Sequence, residues 1–107
     1  MQDLPPIIAA IRDQLVYHMC PERIILFGSF AKGKQTRHSD IDVLAVTEAP
    51  VAPPRQALAR QLFFDYPVRV DVLFCTNDRL LEEEDRPYSF LCSIMKSCIT
   101  LYEREIG

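Results

Sequence analysis

With 107 residues, 49% of them hydrophobic and 25% charged, the chain has room for one domain over residues 1–107 and is neither disordered nor collagen-like in composition. A net charge of −3 argues against nucleic acid as the main partner, because phosphate binding shows itself as a basic excess. The sequence has no 18-residue apolar run and no basic leader before an apolar core, and its four cysteines lack a C-x-x-C pair, so a cytoplasmic chain without membrane span, signal peptide or zinc site is expected.

Asp3 is placed to cap a first helix that carries Pro5 and Pro6 in its opening turn, with Ile7, Ile8, Ile11, Leu15 and Met19 at helical spacing. Cys20-Pro21 ends it, since a residue before proline is pushed out of the helical region. Arg23–Phe27 has no polar alternation and reads as a central strand covered on both faces. Gly28 and Ser29 follow, Ser29 as cap of a short helix over Phe30 to Lys32 and Gly33 as its left-handed stop. After the polar loop Lys34–Ser39, Asp40–Val46 forms a second strand, in which the period of two puts Asp40, Asp42 and Leu44 on one face. A proline-rich loop leads to a helix over Arg55–Phe64. A third strand, Val68–Cys75, then sets Asp71 and Leu73 opposite Val70, Val72 and Phe74. Asn77 caps a short helix to Glu84, and Arg86-Pro87 opens a last helix that buries Phe90, Leu91, Ile94 and Met95. Cys98–Tyr102 is β-rich and suits a short terminal edge strand. The four cysteines sit in apolar runs and read as small buried hydrophobes. The order α-β-α-β-α-β-α defines an α/β (α+β) fold, a small mixed sheet with helices on one side.

The stretch from Gly28 to Asp42, GSFAKGKQTRHSDID, concentrates the chemistry. A Gly-Ser turn leaving a strand offers backbone N–H groups to an anion, and glycine lets a phosphate approach closely. By itself that dipeptide is commonly only a capped turn, and D-x-D alone is commonly a pair of edge charges. Aspartate is a poor strand former, however, and Asp71 interrupts a strand that is otherwise Val, Leu and Phe. Carboxylates gathered on one face repel by roughly 4 kcal/mol per ionised pair at about 4 Å and an effective dielectric near 20. A divalent cation removes that penalty, and all-oxygen donors suit Mg²⁺ or Mn²⁺.

Taken together, G-S, ten residues, D-x-D and a later V-x-V-D-V-L strand resemble the nucleotidyltransferase superfamily related to DNA polymerase β, most closely its minimal nucleotidyltransferases. The resemblance extends to the closing I-x-L-Y-E segment, Ile99–Glu103. It implies that Gly28 and Ser29 hold the β- and γ-phosphates of ATP, that Asp40 and Asp42 ligate two Mg²⁺ ions, and that Asp71 shares one metal and takes the proton from an attacking hydroxyl. Lys32, Lys34 and Arg37 lie in the connecting loop, where triphosphate charge would be neutralised, although solvated loop positions are the plainer reading of all three. His38 is discounted as a base, His18 is assigned to the end of the first helix, and Tyr88 and Tyr102 are read as packing residues.

The resemblance further implies an antitoxin that transfers AMP to a hydroxyl of a HEPN-domain toxin. Since 107 residues leave no space for an acceptor domain, the acceptor surface is expected from a partner or from a second copy of the chain, as a hetero- or homo-oligomer. The alternatives are a binding module that silences its partner by contact without catalysis, and a nucleotidyltransferase acting on small molecules.

Overall fold

Pro6–Met19 forms helix α1 in the computed structural model, which describes residues 5–36 and 39–105. Asp3 lies outside the described residues, and Pro5 occupies the cap position. Ile8, Ile11, Leu15 and Met19 form the buried stripe of the helix. Cys20 ends it in the left-handed region, with φ of 47°, and donates its N–H to the Val16 carbonyl before Pro21 turns the chain away.

Strand β1 (Arg23–Phe27) runs directly into a four-residue helix, α2 (Gly28–Ala31), and strand β2 covers Ile41–Thr47. Helix α3 (Pro53–Gln61) carries the chain over to β3 (Val70–Thr76), after which come α4 (Asn77–Glu83), α5 (Phe90–Lys96) and β4 (Ile99–Glu103). The four strands form one mixed sheet in the order β3-β2-β1-β4. β1 is antiparallel to both of its neighbours, while β2 and β3 are parallel and need the α3 crossover. The terminal strand expected at Cys98–Tyr102 is present, one residue later, as the edge strand on β1.

The pleat divides the apolar residues between two cores. Ile24 and Leu26 of β1, Ile41 and Val43 of β2, Val72 of β3 and Leu101 of β4 pack with α1 and with Ala59 of α3. Ile25, Leu44, Val46 and Cys75 on the opposite face pack with Leu80 of α4 and with Leu91 and Ile94 of α5. Helices therefore cover both faces, which corrects the one-sided arrangement expected from element order. Order alone does not say which face a helix returns to, and the apolar residues of α4 and α5 match the Ile25–Leu44 side. Leu44 is 1% exposed in this second core. Leu44→Ala is expected to cost about 2–5 kcal/mol, read as a lower midpoint in urea with an unchanged slope.

Several boundaries differ from the sequence reading for local reasons. Ser29 lies inside α2 rather than capping it, because the helix starts at Gly28 with Phe27 as the flanking residue. Thr76, not Asn77, caps α4, its Oγ1 accepting from the Arg79 N–H at 3.2 Å. Ser89 caps α5 by accepting from the N–H groups of Leu91 and Cys92. That cap makes Phe90 the first helical residue and leaves it 61% exposed, outside the Leu91, Cys92, Ile94 stripe. Tyr88 is fully exposed, whereas Tyr102 packs against the first core. Cys75 and Cys92 are buried as expected, but Cys20 is exposed at the end of α1. Among the described residues no helix is long and apolar enough to cross a membrane.

Candidate active site

Register places two of the expected site positions in one row across the sheet, with a third, Gly28, directly after the row's first residue. Phe27, the last residue of β1, faces Asp42 of β2, and Asp42 faces Asp71 of β3. Neighbouring strands lie about 4.8 Å apart, so the turn at Gly28 and the two carboxylates occupy one end of the sheet in sequence Gly28, Asp42, Asp71. Asp42 and Asp71 share the face of Leu44 and Leu73, as the period of two requires.

Gly28 has φ of +76°, a conformation that L side chains rarely adopt. A Cβ at this position would run into Asp42 Oδ2 and stand 3.3 Å from Asp42 Cγ. The missing side chain thus makes room for a carboxylate of the next strand, a reason for glycine that the sequence alone does not disclose. With four residues α2 is too short to build a helix macrodipole, so any anion held here depends on individual N–H groups and the Ser29 hydroxyl. Gly33 takes the left-handed conformation expected of it, with φ of +69°, and the Lys34 N–H closes the turn onto the Ser29 carbonyl at 2.9 Å.

The electrostatics of the acids are unequal. Asp71 pairs with Arg69 at 3.1 Å, two residues away on the same face of the chain. Burial lifts the pKa of Asp42 above the ordinary carboxylate value, and the charges of Asp71 and Asp40 and a hydrogen bond with the Asp71 carboxyl push it the same way. The Arg69 guanidinium acts on Asp42 in the opposite sense, as the smallest of these influences.

Asp40 precedes β2 by one residue and is half-buried. It is near enough to raise the Asp42 pKa, yet among the described residues no three His, Cys, Asp or Glu side chains form a ready metal cage. The structure therefore brings Asp42 and Asp71 together and leaves Asp40 beside them. The donor set suits a hard divalent cation, since it consists of carboxylate oxygens whose mutual repulsion a cation would relieve. Lys32 and Lys34 are exposed on the loop after α2, and Arg37 and His38 lie outside the described residues.

A cleft of about 330 Å³ opens beside the acid pair, lined by Asp42 and Asp71 together with Phe27, Leu73, Arg60 and Phe90 among others. Phe90 meets Phe27 edge-on with ring centroids 6.3 Å apart. Arg60 reaches from α3 across the open edge of β3, donating to the Val72 carbonyl at 3.2 Å with its guanidinium 5.7 Å from the centre of the Phe74 ring. Neither Arg60 nor Phe90 stands out as a site residue in the sequence. Arg69 was signalled, as R-x-D puts both side chains on one face of a strand.

The fold is a mixed α/β sheet with an acid pair beside a tight glycine turn. The chain belongs to the family of the nucleotidyltransferase domain, whose family model matches residues 7–99. No curated protein matches it in sequence. Among solved structures, a toxin-antitoxin with AMP-PNP superposes with a TM-score of 0.64 at 24% identity, over 91% of this chain and 74% of that one. The toxin-antitoxin MntA-HpeT superposes in two mutant forms. One, with two aspartates two positions apart changed to glutamate, has a TM-score of 0.65 at 21% identity over 90% of this chain and 73% of that one. The other, with a tyrosine changed to alanine, has a TM-score of 0.67 at 22% identity over 96% and 76%. At these identities the likeness is one of fold, and it bears out the nucleotidyltransferase fold expected from the motif.

Proposed function

We propose that this protein is a divalent-metal-dependent nucleotidyltransferase that moves AMP from ATP to a hydroxyl of a partner protein, as an antitoxin acting on a HEPN-type toxin. The observation that carries the reading is the Asp42–Asp71 pair set beside the positive-φ turn at Gly28, in a chain of the nucleotidyltransferase-domain family. The toxin-antitoxin partnership draws its support from the solved structures of similar fold, one with AMP-PNP and one in which a pair of aspartates spaced like Asp40 and Asp42 was the target of mutation.

In this reading Asp40, Asp42 and Asp71 hold Mg²⁺ or Mn²⁺, which when bound would neutralise the triphosphate and the departing pyrophosphate. The Gly28–Ser29 turn presents its N–H groups and hydroxyl to the β- and γ-phosphates, and Lys32 adds positive charge from the loop. Asp71 lies on the far side of Asp42 from that turn, where an in-line nucleophile must stand. It takes the proton of the acceptor hydroxyl as the hydroxyl oxygen bonds to the α-phosphorus and the bond from that phosphorus to the bridging oxygen breaks. Pyrophosphate leaves on the Gly28 side.

The test is transfer of label from α-labelled ATP, with Mg²⁺, to the protein encoded beside this one. Asp71→Asn is expected to lower transfer by at least roughly 10²–10⁴-fold, the usual contribution of a positioned base. Equal labelling by wild type and variant would remove Asp71 from the chemistry. A partner that is bound and silenced without acquiring label would instead favour neutralisation by contact.

A further inference from the structure

Of the two edges of the sheet, β3 is the one left open for pairing. β4, at the other side, is five residues long, and its register on β1 shifts between Ile24 and Ile25, an irregularity that blunts an edge. β3 is seven residues long and pairs with β2 without a break from Val70 to Thr76. Carbonyl directions fix which of its backbone groups face out. Arg69 and Cys75 turn theirs toward β2, accepting from the Ile41 N–H at 2.9 Å and the Thr47 hydroxyl at 3.4 Å, whereas Val72 turns its carbonyl out to Arg60 at 3.2 Å. Alternation then sends the N–H and C=O groups of Val70, Val72 and Phe74 away from the sheet. Among the described residues those three N–H groups meet no protein acceptor. A groove of about 360 Å³ lies over this edge, between Gln56 and Arg60 of α3 on one side and Glu83, Phe90 and Leu91 of α4 and α5 on the other, with Phe74 between them.

We propose that this groove binds an extended acidic segment of a partner protein, which adds to β3 as a fifth strand and gives Arg60 a carboxylate. Nothing in it depends on the reaction proposed above. Unpaired N–H groups at alternate residues, spread over about 13 Å from Val70 to Phe74, are the donors that an added strand requires. Charge selects the occupant. Arg69 and Arg79 already hold Asp71 and Glu83 at 3.1 and 2.6 Å, so each is neutralised in place. Arg60 is held by a neutral carbonyl and by the Phe74 ring, 5.7 Å from its centre, with no carboxylate among the described residues in ion-pair reach. Its helix, Pro53–Gln61, has no acidic residue, although the chain as a whole carries −3. In the free chain Arg60 covers the Val72 carbonyl and guards the edge. An incoming carboxylate takes the guanidinium away, because a charge-assisted hydrogen bond is roughly twice as strong as a neutral one, and the Val72 carbonyl is released to the backbone of the new strand. Side chains of that strand alternate, and those turned from Arg60 meet Phe90 and Leu91, so the fitting segment has acids on one face and aliphatic residues on the other. A second copy paired through its own β3 is the poorer occupant, since it would set one Arg60 against the other about the twofold axis.

The probe is a fluorescent, end-blocked peptide as long as β3, Thr-Glu-Val-Glu-Val-Glu-Thr, titrated against the full chain. One control replaces each glutamate by lysine, and a second carries N-methyl groups on every glutamate and valine, which removes its backbone donors. Amide exchange of the protein, followed by NMR, locates the contact. The glutamate peptide is expected to bind and to slow exchange at Val70, Val72 and Phe74 by about tenfold or more at saturation. The lysine peptide should bind at least about tenfold more weakly, and the methylated one not at all. Arg60→Gln should weaken the glutamate peptide about tenfold and erase its advantage over lysine. Both peptide controls use the wild-type chain, so they decide the matter even if the variant does not fold. The proposal is overturned if the glutamate peptide fails to bind at about 1 mM, if either control binds as well, or if protection falls elsewhere than on the three amides. It is overturned equally if those amides are protected without peptide in a protein that sediments as a dimer, because the edge then belongs to a second copy.

Discussion

Asp42→Asn is expected to abolish nucleotidyl transfer, by roughly 10³-fold, and at the same time to make the metal-free protein more stable at neutral pH. The two effects have one cause. Asp42 stands between Gly28 and Asp71 with its pKa raised by burial and by two neighbouring carboxylates, so ionising it in the folded chain costs more than in the unfolded one. The sign follows from linkage. A carboxyl whose folded pKa lies above its unfolded value favours the fold fully below the unfolded value, and the contribution is lost as pH climbs through the folded value. Asparagine has no charge to bury. Thermal melts without metal should therefore show Asp42→Asn above wild type at pH 7, by a few degrees for a difference of about 1 kcal/mol or less. The gap should close as pH falls through the ordinary aspartate range near 3.8. Mg²⁺ should raise the wild-type midpoint and leave the variant nearly unmoved, since a cation that binds only the folded acids stabilises only a chain that has them. A variant that melts below wild type at neutral pH would contradict the charge distribution described for this site.

Gly28→Ala is expected to be more damaging than Gly33→Ala. A side chain at φ of +76° is strained by about 1–2 kcal/mol wherever it points. Here it also points into the Asp42 carboxylate, and crowding of this kind adds about 1–3 kcal/mol. A loss near 2–5 kcal/mol would take a domain of this size down by ten degrees or more. Whatever folds should be at least about 10²-fold slower, because Asp42 must move to make room and catalytic groups displaced by an ångström lose that much. Gly33→Ala is the internal control: its φ is +69°, yet an added Cβ meets nothing within 4 Å, so it carries the backbone strain alone. Equal losses at the two glycines, measured by denaturant melts, would mean that the contact with Asp42 is not what glycine is there for.

Much of this was legible in the sequence because the physics involved is local. The period of two placed Asp42 and Asp71 with Leu44 and Leu73 on one face, and α1 followed from the spacing of Ile8, Ile11, Leu15 and Met19. The motif also gave the family. What escaped depended on relations between distant segments. That Asp42 faces Phe27 and Asp71 in one row is a matter of register, which no single strand specifies. That Gly28 clears space for Asp42 requires both strands in place. The helices on the second face, and with them Phe90 beside the acids, came from packing that element order leaves open. The helical spacing of Phe90, Leu91 and Ile94 predicts all three in the core, whereas Phe90, at the start of α5, stands exposed against Phe27.

The parallel pairing of β2 with β3 has a consequence for how faithfully the chain must fold. Asp71 reaches Asp42 only through the α3 crossover, and strand side chains alternate faces. A slip of β3 by a single residue would turn Asp71 toward Ile8 and Ile11 and set a valine opposite Asp42, burying a charge and removing half of the acid pair together. On the function proposed above, turnover would thus also be a proofreading signal for strand alignment: only molecules with the β2–β3 register correct would turn over, and turnover per folded molecule would count the properly aligned fraction in a way that secondary-structure content cannot.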